Sequence, residues 1–169
     1  MFYDIIFGVL VLSVCIDAFR FHRFRPFREV FTPFYAIAMC VYTVYQSWTD
    51  RDWVLLIAAA AIGLLIGSLQ AVKSEIQFRS KDETKEPHPY VRDHFPYVLG
   101  WLLLFEFGVL FYLLLHRLLP NSAEELHNVA STVFQSSQPW YMWAMYGSAG
   151  LTYYLDVDRK IRRQAESES

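Results

Sequence analysis

Glu106 is the residue whose type and position first suggest chemistry. It stands near the middle of WLLLFEFGVLFYLLL, residues 101–115, with no other charge in the run. A charged carboxylate is costly inside a bilayer, so such a group is either held neutral or faces a polar partner. One reading is a proton- or cation-handling site. The other is a hydrogen-bonded helix-pairing group, with Tyr35, Tyr42, Thr43, Gln46, Gln70 or Ser148 as its partner. Pairing takes the greater weight, because a transport path usually shows more than one central polar group.

The arginines Arg20, Arg23, Arg25 and Arg28 alternate with aromatics in RFHRFRPFR. Next to a membrane such a cluster attracts anionic lipid headgroups, at about 1 kcal/mol per basic residue. A net charge of −2 leaves no field that would gather nucleic acid. The five histidines include no pair at i and i+4. A metal site from His88, Asp93 and His94 lacks recognised ligand spacing, so neither metal nor haem is expected. Cys15 and Cys40 form no CxxC and read as small apolar packers. No cofactor is expected. No hydrolase motif or phosphate-cradling glycine loop is present, which points away from an enzyme.

Packing residues stand out more clearly. Ala59, Gly63, Gly67 and Ala71 recur every four residues, and Ala144, Ser148 and Thr152 form a second, weaker stripe. Between lipid-solvated helices association depends on close backbone approach, which small side chains permit. The stripes are expected to pack within the chain or against a second copy.

The elements that must hold these residues follow from hydropathy. A helix needs about 20 mainly apolar residues to cross a bilayer. Five segments qualify on this reading: about 2–19, 30–48, 53–72, 95–119 and 139–155, the last being the least apolar. Of the 15 lysines and arginines, 13 lie in residues 20–28, 73–94 and the tail, and only Arg51 and Arg117 lie in the other two connections. The positive-inside rule then puts the N-terminus outside and the C-terminus in the cytoplasm. In the outer connection, Ser122 and Glu125 have capping-box spacing, and Leu126, Val129, Ala130, Val133 and Phe134 share one helical face. This predicts an amphipathic surface helix over about 122–135.

The stretch IAAAAIGLLIGSLQAVKSEIQFR, a short polar loop and PYVLGWLLLFEFGVLF, together Ile57 to about Phe111, resemble the small CcdC-like multi-pass proteins and related bacterial hydrophobic proteins. The resemblance implies a membrane protein of a class loosely associated with cytochrome c maturation and thiol delivery. It carries over no residues.

The sequence is thus read as all-α: a single five-span transmembrane bundle over 1–169, with a cytoplasmic tail over 158–169. The bacterial cytoplasmic membrane is the expected location. The expected role is an accessory or regulatory subunit of a membrane assembly, with a membrane protein or a second copy as partner. A proton- or cation-coupled carrier using Glu106 is the first alternative, and a redox or haem-handling protein the second.

Overall fold

The computed structural model describes residues 16, 18–47, 52–79, 88–116, 125, 128 and 140–168. Among them are four helices: α1 (Pro26–Ser47), α2 (Asp52–Ala71), α3 (Phe95–His116) and α4 (Trp140–Glu168). Three short strands complete the fold: β1 (His22–Arg23), β2 (Glu75–Arg79) and β3 (His88–Arg92).

The sheet corrects the all-α reading. Residues 73–94 were expected to be a charged loop, yet EIQFR alternates exposed and half-buried positions, the period of a strand with one covered face. β3 lies in the centre, antiparallel to both neighbours, in the order β1-β3-β2. His22 and Ile76 flank Val91 from either side, and Arg23 and Gln77 flank Tyr90. Val91 is fully buried, and its face of the sheet packs with Phe24, Ala71 and Val157. Phe24 stacks on Tyr154 with ring centres 5.9 Å apart. The arginine–aromatic run is therefore tied into tertiary structure. Of its three phenylalanines Phe24 is a core residue and Phe27 is exposed, while Arg20, Arg23, Arg25 and Arg28 point outward.

The five-span count is corrected as well. Two described helices are long and apolar enough to cross a membrane, over Trp53–Ala71 and Phe95–Leu115. α1 begins earlier than expected: Pro26 takes the first helical position, where its missing N–H costs nothing, and Arg25 O accepts the first helical bond from Glu29 N at 3.0 Å. The helix therefore includes Arg28 and Glu29, and with its tyrosines it is less apolar than the two candidate spans. α4 continues without a break for 29 residues into its charged tail. Its first half is built largely of Trp, Tyr, Gly, Ser and Thr, which suits a helix enclosed by other helices better than one bathed in lipid. The inside–outside assignment rested on five alternating spans and falls with them. The span at 2–19 lies outside the described residues except at its last positions, and so does the amphipathic helix at 122–135 apart from Glu125 and Asn128.

α4 is the centre of the molecule. Tyr141, Met145 and Ala149 on it are almost wholly buried, packed with Ala59 and Ile66 of α2, Leu104 and Phe111 of α3 and Cys40 of α1. The two small-residue stripes meet here. A Cβ at Gly63 would collide with Ser148 Oγ and stand 2.5 Å from Met145 O, and one at Gly67 would strike Ala149 O. On the other side, a Cβ at Gly147 would stand 2.8 Å from Ile37 of α1. Glycine lets both neighbouring helices approach the α4 backbone. A run of ring contacts, Tyr153–Tyr97–Trp101–Tyr146–Trp143–Tyr35, links α4 to α3 and α1 with centroid separations of 5.3–6.5 Å.

Candidate functional site

The sheet, the end of α2 and the start of α3 converge on α4, and the polar side chains gather at that junction. α2 stops at Ala71, where Val72 N and Ser74 N fold back onto Leu69 O and Ala71 O at 3.2 Å each. Lys160, from the second half of α4, donates to Ala71 O and, at 3.0 Å, to Val72 O. A cation there satisfies terminal carbonyls and meets the negative end of the α2 dipole. Burial lowers the Lys160 ammonium from its usual range, against the opposing pull of Asp156 and Asp93.

Asp93 is the centre of the junction. It sits between β3 and α3 and is only 2% exposed. Ser74 Oγ donates to its Oδ1 at 3.0 Å, and Tyr153 Oη donates to the same oxygen at 2.7 Å. Burial raises the carboxyl above the usual range, opposed in turn by the Tyr153 and Ser74 hydrogen bonds and by the nearby His22 and His94. The Tyr153 hydroxyl is pushed upward too, first by burial and then by the adjacent Asp93 charge, which keeps it a proton donor. One carboxylate thereby ties together the chain after α2, the chain before α3 and the middle of α4.

His94 lies beside it, but its Nε2 faces Glu75 Oε1 at 3.1 Å. Arg92 Nη1 stands 4.0 Å from the other oxygen of Glu75. An open cavity of about 570 Å³ is bounded by Phe19, Lys73, Ser74, Glu75, His94 and Phe95. The Ser74 hydroxyl in its wall points to Asp93, and His94 is turned to Glu75, so the two do not form a nucleophile–base pair. The arrangement can lock three segments and present mixed charge at a cavity mouth. It has no nucleophile aligned for covalent chemistry. Among the described residues no three of His, Cys, Asp and Glu come together as metal ligands. His88 is paired with Arg79 at the far end of β3 from Asp93.

The residues singled out by sequence are distributed otherwise. Ala59, Gly63, Gly67, Ala71, Ala144 and Ser148 lie at the α2–α4 contact and its continuation. Glu106 is exposed on α3, away from that contact. Three of its six supposed partners are engaged elsewhere: Ser148 Oγ bonds Ala144 O at 2.7 Å, Thr43 Oγ1 bonds Met39 O at 2.8 Å, and Gln70 Nε2 lies 3.4 Å from Tyr97 O. Cys40 is buried on α1, and Cys15 lies outside the described residues. Ser74 and Tyr153 were not picked out by sequence. Both are single hydroxyls in unremarkable contexts, and Tyr153 is 60 residues from its partner.

No family model matches this chain, and no curated protein or solved structure matches it either.

Proposed function

We propose that this chain is a helical protein of a cell membrane, with α2 and α3 crossing the bilayer, and that it acts as a non-catalytic accessory or regulatory subunit of a membrane assembly. The observation that carries the proposal is the position of Glu106. It lies midway along an apolar helix and is exposed, and among the described residues no hydrogen bond or ion pair reaches it. A carboxylate at that depth needs a polar partner. An outward-facing one is met by another chain.

Two further observations support the reading. Only 33% of each apolar window on α2 and α3 is buried, whereas the core helix of a soluble globule is mostly enclosed. α1 adds a continuous exposed stripe of Phe27, Phe31, Phe34, Val41 and Tyr45, spaced along one helical face. Apolar surface of this extent belongs in lipid or against a partner. The polar groups at the sheet end are spent on holding the fold.

The carrier reading is the second one, and it draws on the same residue. It requires an enclosed path to Glu106, which a second copy packed on α3 would create.

Flotation of membranes from expressing cells, followed by native mass spectrometry in mild detergent, tests the proposal. The protein is expected in the membrane fraction as part of a complex. Glu106→Gln, which keeps hydrogen-bonding capacity, is expected to retain the partner, and Glu106→Leu to lose it. A wild-type protein that runs as a lone monomer in mild detergent overturns the subunit reading. A homodimer whose ion flux is lost in Glu106→Gln replaces it with the carrier.

A further inference from the structure

Another recess adjoins the α2 terminus. It has a volume of about 370 Å³ and is bounded by Ser68 and Val72 of the α2 end and by Asp156, Arg159, Lys160 and Arg163 of α4. Three cations face one acid. Asp156 is bound to Arg159 at 3.3 Å, and Arg163 makes no ion pair among the described residues. The α2 carbonyls, which would repel an anion, are covered by Lys160. The recess therefore presents the Arg163 guanidinium, the N–H groups of Arg159 that Asp156 does not take, and the Ser68 hydroxyl, donor types that bind the oxygens of a phosphate ester.

The surface leading to the recess identifies the source of that phosphate. Val54, Ile57, Ala61, Leu65, Ser68 and Val72 are all exposed and share one face of α2. This face is roughly opposite the buried stripe of Ala59, Gly63 and Gly67, and it carries no charge along its length. An apolar track that ends in a basic recess, at the end of a candidate span, fits an amphiphile lying along the helix.

We propose that the Arg159–Arg163 recess binds the phosphate-ester headgroup of one anionic lipid, whose acyl chain lies along the exposed face of α2. The inference rests on the membrane reading above and is separate from the Glu106 partner.

The test reconstitutes the full chain in nanodiscs of phosphatidylcholine containing a minority of phosphatidylglycerol. Lipid retained after gentle detergent extraction is then counted by native mass spectrometry. One phosphatidylglycerol is expected to be held with roughly tenfold preference over phosphatidylcholine, as two basic contacts allow. The double variant Arg159→Gln/Arg163→Gln should lose that preference, while Arg79→Gln on the sheet side, outside both the recess and the 20–28 cluster, should keep it. Ser68→Phe, which blocks the recess from an exposed position and leaves every charge in place, should lose it as well. Equal loss in the sheet-side control would show diffuse charge attraction and overturn the site. Inorganic phosphate displacing the lipid at millimolar concentration would assign the recess to soluble phosphate and overturn the lipid. A chain that enters nanodiscs without any preference defeats this inference alone, whereas one that fails to enter them defeats the membrane reading first.

Discussion

Asp93 receives two hydroxyls on one oxygen while almost excluded from solvent, and this arrangement has a measurable consequence. Burial holds its carboxyl above the ordinary value of about 3.9, so the folded state holds this proton more tightly than the unfolded chain does. The stability it contributes is complete below that ordinary value and is lost as pH rises through the higher, folded-state value. Asp93→Asn keeps an acceptor for Ser74 and Tyr153 but cannot titrate. Thermal melts in detergent should show wild type losing stability relative to this variant as pH rises above about 4. A change of about 1 kcal/mol moves Tm by about 2–4 °C in a chain of this size. A gap that stays constant with pH would contradict the burial argument. Tyr153→Phe leaves the buried carboxylate one donor short and should cost about 1–3 kcal/mol in the same melts. An unchanged Tm would show that the 2.7 Å bond is not holding the junction.

At the scale of elements, the α2–α4 contact is a backbone-to-backbone approach at Gly63 and Gly67, with no flexible side chain that could move aside at Met145 O or Ala149 O. Gly67→Val therefore forces the helices apart. It should destabilise the protein by about 1–3 kcal/mol or more, the usual cost of overpacking. Leu65→Ala, two positions away on the exposed face, should change stability by less than about 0.5 kcal/mol. Equal effects from the two substitutions would mean that the helices do not pack through this stripe. The same scale explains the second half of α4. Arg162 meets Asp158 at 2.8 Å, one turn apart, and Arg159 meets Asp156, so the charged tail continues as helix on its own side-chain pairs while Val157 and Ile161 cover the sheet.

For the whole molecule, three basic segments far apart in sequence come together at one end. β1, which carries Arg23, pairs with β3, β2 closes the other edge, and the second half of α4 lies across the buried face. This is also the end where α2 finishes and α3 begins, so the molecule is an apolar bundle with a small charged head. Salt should affect the two parts differently. Headgroup attraction is screened over about 8 Å at physiological ionic strength, whereas the apolar faces of α1, α2 and α3 are indifferent to it. On the proposed membrane reading, high salt should therefore leave the protein in the membrane fraction while reducing its preference for anionic lipid. Release by salt alone would identify a peripheral protein held by charge and contradict α2 and α3 as spans.

Local features were legible without coordinates because they depend on near neighbours. The helical character of residues 30–47, 53–71, 95–116 and 140–155 follows from apolar runs, and the stripe of Ala59, Gly63, Gly67 and Ala71 follows from spacing alone. Features that require two distant segments to meet were not legible. The EIQFR and HPYVR strands are too short to stand out from a charged loop until each pairs with the other and buries Val91. Hydropathy alone also cannot separate a helix surrounded by lipid from one surrounded by other helices, which is why α4 was counted as a span. Asp93 and Glu106 show the reason most directly. Sequence placed Glu106 in the apolar run and Asp93 in a polar loop, but only the packing of α4 against the sheet made Asp93 the buried acid and left Glu106 on the surface.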